Sequence, residues 1–181
     1  ITNGVITESG NGYCNINWIG ANPGIIKLYQ TNDATGCKDT SEQQVTINPL
    51  PNPAITGDLS VCETRQYSYS SNSASGVSYK WIVSGGSIPG NDEQSDVVFN
   101  WGSAGSGTIT LVHTNTTTGC TDTTEEVASI TPLPSAVITS GEFTVCGHND
   151  YDYSTTSEAG IDIQWESDDG NVLNPTQQAC T

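Results

Sequence analysis

The sequence contains no methionine and few basic residues. Lys27, Lys38, Arg65 and Lys80 stand against 20 acidic residues, so the formal net charge is −16. Because contacts with phosphate groups need lysine and arginine, this balance argues against nucleic-acid partners and against anionic membrane surfaces. We interpret the acidity as that of a soluble surface that repels its neighbours in a crowded extracellular setting.

Long apolar runs and sustained helical spacing are also absent. No apolar stretch approaches the roughly 20 residues that cross a bilayer, so we expect no membrane insertion by this segment. No window repeats apolar residues at intervals of three, four and seven, which predicts essentially no helix. The expected fold is therefore built from strands.

The motifs of common catalytic and metal sites are missing. The chain has no G-x-S-x-G, H-E-x-x-H or Walker sequence, and its cysteines form no C-x-x-C pair. Carboxylate pairs such as Asp92-Glu93 and Glu125-Glu126 lack an apolar pocket that would raise their pKa, and the WESDDGN segment (165–171) meets only part of the calcium-loop pattern. We predict no catalytic residue, no metal site and no cofactor, and hence a protein that is not an enzyme.

What the sequence does contain is an internal repeat. Residues 24–51 match residues 107–134 at an offset of 83, including the apolar run, the Gly-Cys turn, Asp-Thr and Pro-Leu-Pro. Residues 54–62 recur at 137–146 with one insertion, which changes the offset to 84. The repeat predicts one complete unit at 52–134, the second half of a preceding unit at 1–51 and the first half of a following unit at 135–181. We expect the chain to be a window from a longer array.

Each unit of about 83 residues has the pattern of a β-sandwich. About seven short strands with turn signals every 8–12 residues are typical of that architecture; residues 78–83 are the strongest central strand, and residues 96–101 are another. Four tryptophans recur at matching positions, which favours the core because every copy of a fold needs one. These predicted core aromatics are Trp18, Trp81, Trp101 and Trp165. An aromatic platform for sugar binding is the alternative for them.

The six cysteines predict disulfides formed in an oxidising compartment. They are Cys14, Cys37, Cys62, Cys120, Cys146 and Cys180. Three pairings are open: Cys62 with Cys120 inside one unit, the Val-Cys of one unit with the Gly-Cys of the next, or the local links Cys37–Cys62 and Cys120–Cys146. Strand order places Cys62 and Cys120 near opposite poles, which weighs against the first pairing. Cys14 and Cys180 have no counterpart in the complete unit.

Several marks of the repeat resemble a known family. Val-Cys, Tyr79-x-Trp81, the second tryptophan, GC-x-DT and the Pro-Leu-Pro linker resemble the PKD-like repeats of large surface and secreted proteins of Bacteroidota, including gliding-type adhesins and cell-surface fibres. The resemblance implies tandem immunoglobulin-like sandwiches and export to the cell surface. The Asp-rich motif that follows the tryptophan in better-known PKD domains is replaced here by residues 82–86.

Two residues are candidates for glycosylation. Asn115 begins an Asn-Thr-Thr sequon at a turn, and Thr123 follows Asp122 in a pattern that resembles the O-glycan sites of Bacteroidota.

Two functions follow from these observations. The first is a structural stalk or fibre of a secreted or surface protein, with neighbouring repeats as partners and with residues 135–181 of one chain able to complete residues 1–51 of another. The second is a module that binds a glycan or a host surface, for which Tyr13, Tyr29 or Tyr151 should lie exposed beside polar side chains. An enzyme would need a catalytic constellation outside this window.

Overall fold

A computed structural model describes residues 2–20, 22–72, 74–156, 159–167 and 179–180 of the chain. Every regular element within these ranges is a strand, so the prediction of an all-β chain is confirmed. The chain divides into two compact structural units, Ile1–Thr131 and Pro132–Thr181, which are called the first and the second unit below and differ from the repeat units predicted from the sequence. The predicted repeat boundaries after residues 51 and 134 stay predictions.

The first unit contains twelve of the described strands. They are β1 (Gly4–Gly10), β2 (Tyr13–Trp18), β3 (Gly24–Thr31), β4 (Lys38–Val45), β5 (Ile55–Thr56), β6 (Ser60–Cys62), β7 (Gln66–Ser71), β8 (Val77–Val83), β9 (Gly86–Ser87), β10 (Asp96–Trp101), β11 (Gly105–Asn115) and β12 (Thr121–Thr131). Strands β1 and β2 form one two-stranded sheet, and β3 and β4 form another.

Strands β5 to β12 form two four-stranded sheets. One has the order β5-β7-β10-β9 and the other the order β6-β12-β11-β8. All neighbours are antiparallel except β6 and β12, which run parallel and place Cys62 beside Thr131. Because one hydrophobic core lies between the sheets, we describe this part of the chain as a β-sandwich and call it the central sandwich.

The period-two patterns of β10 and β11 explain why they form the middle of the sandwich. Val97, Phe99 and Trp101 are buried along β10, while the residues between them are more exposed. In β11, Ile109 and Leu111 are fully buried, and Thr110 between them is more exposed. Side chains of a strand alternate between its two faces, so this spacing supplies one apolar face to each sheet.

Aromatic rings dominate the core. Tyr69 stacks on Phe99 with ring centroids 4.6 Å apart, and Trp81 and Trp101 each meet Phe99 edge-on at 5.9 Å. The polar tip of Trp81 is satisfied, because its Nε1 donates to the carbonyl oxygen of Gln94 at 2.9 Å. The structure therefore places Trp81 and Trp101 in the core, where each contributes apolar burial without an orphaned donor.

Trp18 and Trp165 differ from these two residues, because both are only half-buried. Trp18 lies at the end of β2, whose only strand partner among the described residues is β1. Trp165 lies in the second unit, within the described stretch 159–167, which has no strand. A core position was expected for all four tryptophans; Trp81 and Trp101 are fully buried. The ring of Trp18 lies against Gly24 of β3, yet it and Trp165 stay partly exposed.

The described part of the second unit contains three short strands, β13 (Ile138–Ser140), β14 (Tyr153–Thr155) and β15 (Ala179–Cys180). They form one antiparallel sheet in the order β13-β14-β15. Val145, which corresponds to the core residue Val61 of the central sandwich, is exposed here.

Candidate functional site

The Gly-Cys turn is built identically in its two copies. Asn32 and Asn115 each donate a backbone N–H to the carbonyl oxygen of the cysteine five residues later, at 2.8 Å in both copies. Each asparagine Oδ1 also accepts the backbone N–H groups of the residues two and three positions on, at 3.0–3.1 Å. Gly36 and Gly119 close the turns at φ 71° and 74°, a conformation that glycine adopts without strain.

This geometry gives Asn115 a structural role in addition to its sequon. The Oδ1 of Asn115 accepts backbone N–H groups within the turn. Asn32 accepts the same bonds in its own turn, where the sequence Asn-Asp-Ala is not a sequon. Thr123, the other candidate for glycosylation, lies exposed on β12 opposite Val112, and its backbone N–H bonds to the side chain of Asp122. Both residues lie near the same hairpin turn, one within it and one on the strand that leaves it.

Cys62 and Cys120 lie at opposite ends of β12. The register places Cys62 beside Thr131, whereas Cys120 immediately precedes Thr121 at the other end. Eleven residues of extended chain span about 36 Å, and a disulfide needs Cα atoms within about 7 Å. The pairing of Cys62 with Cys120 inside one unit is therefore wrong.

The remaining cysteine pairings stay predictions. Five cysteines are free thiols in the structure, namely Cys14, Cys37, Cys62, Cys120 and Cys146. The backbone of Cys180 lies in β15, and its side chain is outside the described part of the chain. The structure brings none of the five described cysteines together.

A buried histidine links the two sheets of the central sandwich. The Nε2 atom of His113 on β11 lies 2.7 Å from the hydroxyl of Ser71 on β7, and its ring meets Tyr79 edge-on at 5.1 Å. Its Nδ1 has no hydrogen-bond partner among the described residues, and burial lowers the pKa of His113, so the neutral imidazole is favoured. This pair was not predicted from the sequence, although the alternation of β11 places His113 on the same face as Leu111.

An open groove of about 790 Å³ lies on the outer face of the β5-β7-β10-β9 sheet, below the loop at 88–94. Its lining side chains include Gln66, Ser68, Gln94, Asp96 and Val98. Hydroxyl, amide and carboxylate groups of this kind can hydrogen-bond a polar ligand such as a sugar. The only aromatic residue of the lining is Tyr69, whose ring is buried in the core and offers no exposed stacking face.

Exposed tyrosines occur elsewhere, as the binding hypothesis requires. Tyr13 is exposed and donates its hydroxyl to Glu8 at 3.1 Å. Tyr29 is 72% exposed and lies on β3 opposite Thr40. Tyr151 is half-buried, and its hydroxyl accepts the backbone N–H of Cys146 at 2.9 Å. Tyr13 and Tyr29 thus meet the expectation of an exposed tyrosine beside polar side chains. Tyr151 does not, because it is half-buried and its hydroxyl is bonded within its own unit.

Acidic residues do not assemble into a metal site in the part of the chain that the structure describes. Of the acidic segment considered for calcium, Glu166 is described, whereas Asp168 and Asp169 lie outside the described residues. The described residues also contain no helix long and apolar enough to span a bilayer.

A comparison with known protein families finds none that matches this chain, and no curated protein is significantly similar to it.

Proposed function

We propose that this chain is a structural repeat region, a stalk or fibre segment of an extracellular surface or adhesin-like protein. The proposal includes the immunoglobulin-like, PKD-like identity of the unit and an origin in Bacteroidota. In this account each sandwich is a spacer, and the acidic surface keeps neighbouring fibres apart through charge repulsion. Disulfides between neighbouring units would limit bending.

The observation that carries the proposal is the repetition of fine structure as well as sequence. Tyr69 donates its hydroxyl to the carbonyl oxygen of Asp58 at 2.6 Å. Tyr153 and Glu142, each 84 residues further along the chain, make the same bond at 2.6 Å, again to the carbonyl oxygen. Likewise, Cys62 and Cys146 each donate a backbone N–H to the hydroxyl of the tyrosine five residues later, at 2.9 Å. Preserving such contacts from unit to unit favours a repeated mechanical module over a single specialised site.

Force spectroscopy on the chain tethered at its two ends tests the spacer function. The central sandwich holds about 80 residues, which extend by roughly 26–29 nm when unfolded, less the length of the folded unit. We expect one sharp unfolding step of that size. Gradual extension without a step would contradict a load-bearing role.

A glycan-binding module is the second candidate, and the exposed ring of Tyr29 is the observation that favours it. Tyr29 lies between polar neighbours on its sheet, next to Lys27, which pairs with Glu42 at 2.5 Å. A glycan array probed with the chain and with Tyr29→Ala tests this function. Glycan binding that Tyr29→Ala removes would support it, and an array without signal would exclude it for the glycans displayed.

A further inference from the structure

Strand β3 has an edge that its counterpart in the central sandwich does not have. Strand β11 lies between β12 and β8, whereas β3 pairs with β4 and, among the described residues, meets only Thr2 on its other side, at Ile25. From Ile26 to Thr31 that second edge presents backbone N–H and C=O groups with no strand beside them in the described chain. Such an edge is a template for an added strand.

Strand β3 also exposes an apolar side chain at a position that is buried in the central sandwich. Leu111 is fully buried in the central sandwich, whereas Leu28, its counterpart 83 residues earlier, is 53% exposed. The same contrast appears in the second unit, where Val145 is 49% exposed and its counterpart Val61 is 1% exposed. Each unit therefore presents core positions that the other half of a sandwich would cover.

The central sandwich specifies which segment fits this edge. Strand β8 covers β11, with Trp81 opposite Leu111 and Ile82 opposite Thr110. At the offset of 84, the counterpart of β8 is residues 161–167. Transferring the register places Trp165 opposite Leu28 and Glu166 opposite Lys27.

The pair of Lys27 and Glu166 adds charge complementarity to this match. Within one chain Lys27 pairs with Glu42, and Glu166 accepts a hydrogen bond from the side-chain amide of Gln164 at 2.7 Å. In the central sandwich the two opposed positions hold Thr110 and Ile82, which carry no charge. Both positions change together, one to a cation and the other to an anion, in a chain with only four basic residues. Opposite charges directly across two strands attract, whereas like charges repel.

We propose that residues 161–167 of a second copy of this chain add as an antiparallel strand to the open edge of β3. Trp165 of that copy covers Leu28, and its Glu166 faces Lys27. The contact joins the second unit of one copy to the first unit of the next. A head-to-tail contact of this kind repeats from copy to copy and builds a filament when it does not close into a ring.

This inference rests on the repeat that also carries the proposed function, and it names the partner of the stalk. The two can fail separately. A chain that stays monomeric would overturn self-association, yet it would still show the unfolding step of the central sandwich under force.

Mass photometry and sedimentation velocity across a concentration series test the contact. We expect oligomers that grow with concentration, and Leu28→Asp should reduce their apparent affinity at least about tenfold, because it places a charge in a buried apolar contact. Val127→Asp is the matched control, since Val127 is exposed on the outer face of β12. It should leave association unchanged. Monomers at every concentration, or equal effects of both variants, would overturn the proposal.

A charge exchange tests the register without touching the apolar contact. Lys27→Glu and Glu166→Lys should each weaken self-association about three- to tenfold, because each places like charges opposite one another. An equimolar mixture of the two variants should associate more strongly than either variant alone, since each contact between the two variants joins opposite charges. Glu42→Gln removes only the ion pair within one chain and should still associate. Single variants that associate like wild type, or a mixture no better than either alone, would overturn the register.

Discussion

Tyr69 and Trp101 are joined inside the core of the central sandwich. The Nε1 of Trp101 donates to the Tyr69 hydroxyl at 3.1 Å, and this hydroxyl donates in turn to the carbonyl oxygen of Asp58 at 2.6 Å. The chain of hydrogen bonds fastens the segment before β6 to the middle of the opposite sheet, and it satisfies two polar groups that would otherwise be buried without partners.

Tyr69→Phe should therefore destabilise the central sandwich although it removes a single oxygen atom. The substitution leaves the buried Nε1 of Trp101 without an acceptor, which costs about 1–3 kcal/mol. Urea unfolding followed by tryptophan fluorescence measures the change. Tyr29→Phe, on an exposed ring, is the control and should change the free energy of unfolding by less than about 0.5 kcal/mol. Equal stability of the two variants would contradict this role.

Gly107 should tolerate no side chain. A Cβ atom there would overlap the ring of Trp101 and lie 2.6 Å from the carbonyl oxygen of Ser84. Gly107→Ala should lower the free energy of unfolding by about 1–3 kcal/mol, because the core must shift to admit the methyl group. Gly90→Ala is the control, since a Cβ at Gly90 meets nothing within 4 Å. Thermal unfolding by circular dichroism distinguishes them.

His113 should make the central sandwich less stable in mild acid. Burial lowers its pKa in the folded state, so the unfolded chain binds the proton more readily. The stability that depends on neutral His113 is present above the unfolded pKa of about 6.5 and is lost as the pH falls through and below it.

The comparison with His113→Gln isolates this effect from the many carboxylates of the chain. Glutamine is the natural counterpart, because Gln30 occupies the equivalent position on β3. The difference in unfolding free energy between wild type and His113→Gln should shrink or reverse between pH 7.5 and pH 5. A constant difference would show that the protonation of His113 does not affect stability.

Non-reducing peptide mapping of material from the native source should find no link between Cys62 and Cys120. The register of β6 and β12 separates them by most of the length of the sandwich. The double variant Cys62→Ser/Cys120→Ser should accordingly keep the stability of the reduced protein to within about 1 kcal/mol. A Cys62–Cys120 peptide from folded protein would contradict the strand register itself.

The all-β fold was predictable because period-two alternation and frequent turns are local signals. Residues 96–101, for example, show the alternation of a strand in the sequence itself. The recurrence of Trp81 and Trp101 identified residues that the structure places in the core, because a repeated fold needs the same anchors in each copy. The bond between His113 and Ser71 could not be predicted, since it joins strands of different sheets whose pairing depends on tertiary packing. The half-buried state of Trp18 and Trp165 was missed for a related reason: a residue's burial depends on what covers it, which its own strand does not specify.

Hydrogen exchange measured by mass spectrometry at two protein concentrations tests most directly whether the chain is an array of sandwiches that complete one another. We expect amides of β10, β11 and β12 to exchange slowly at both concentrations. Amides of β3 and of residues 161–167 should exchange quickly in dilute solution and slow down in concentrated solution, where a second copy covers them. Equal exchange of those two segments at both concentrations would show that no second copy covers them.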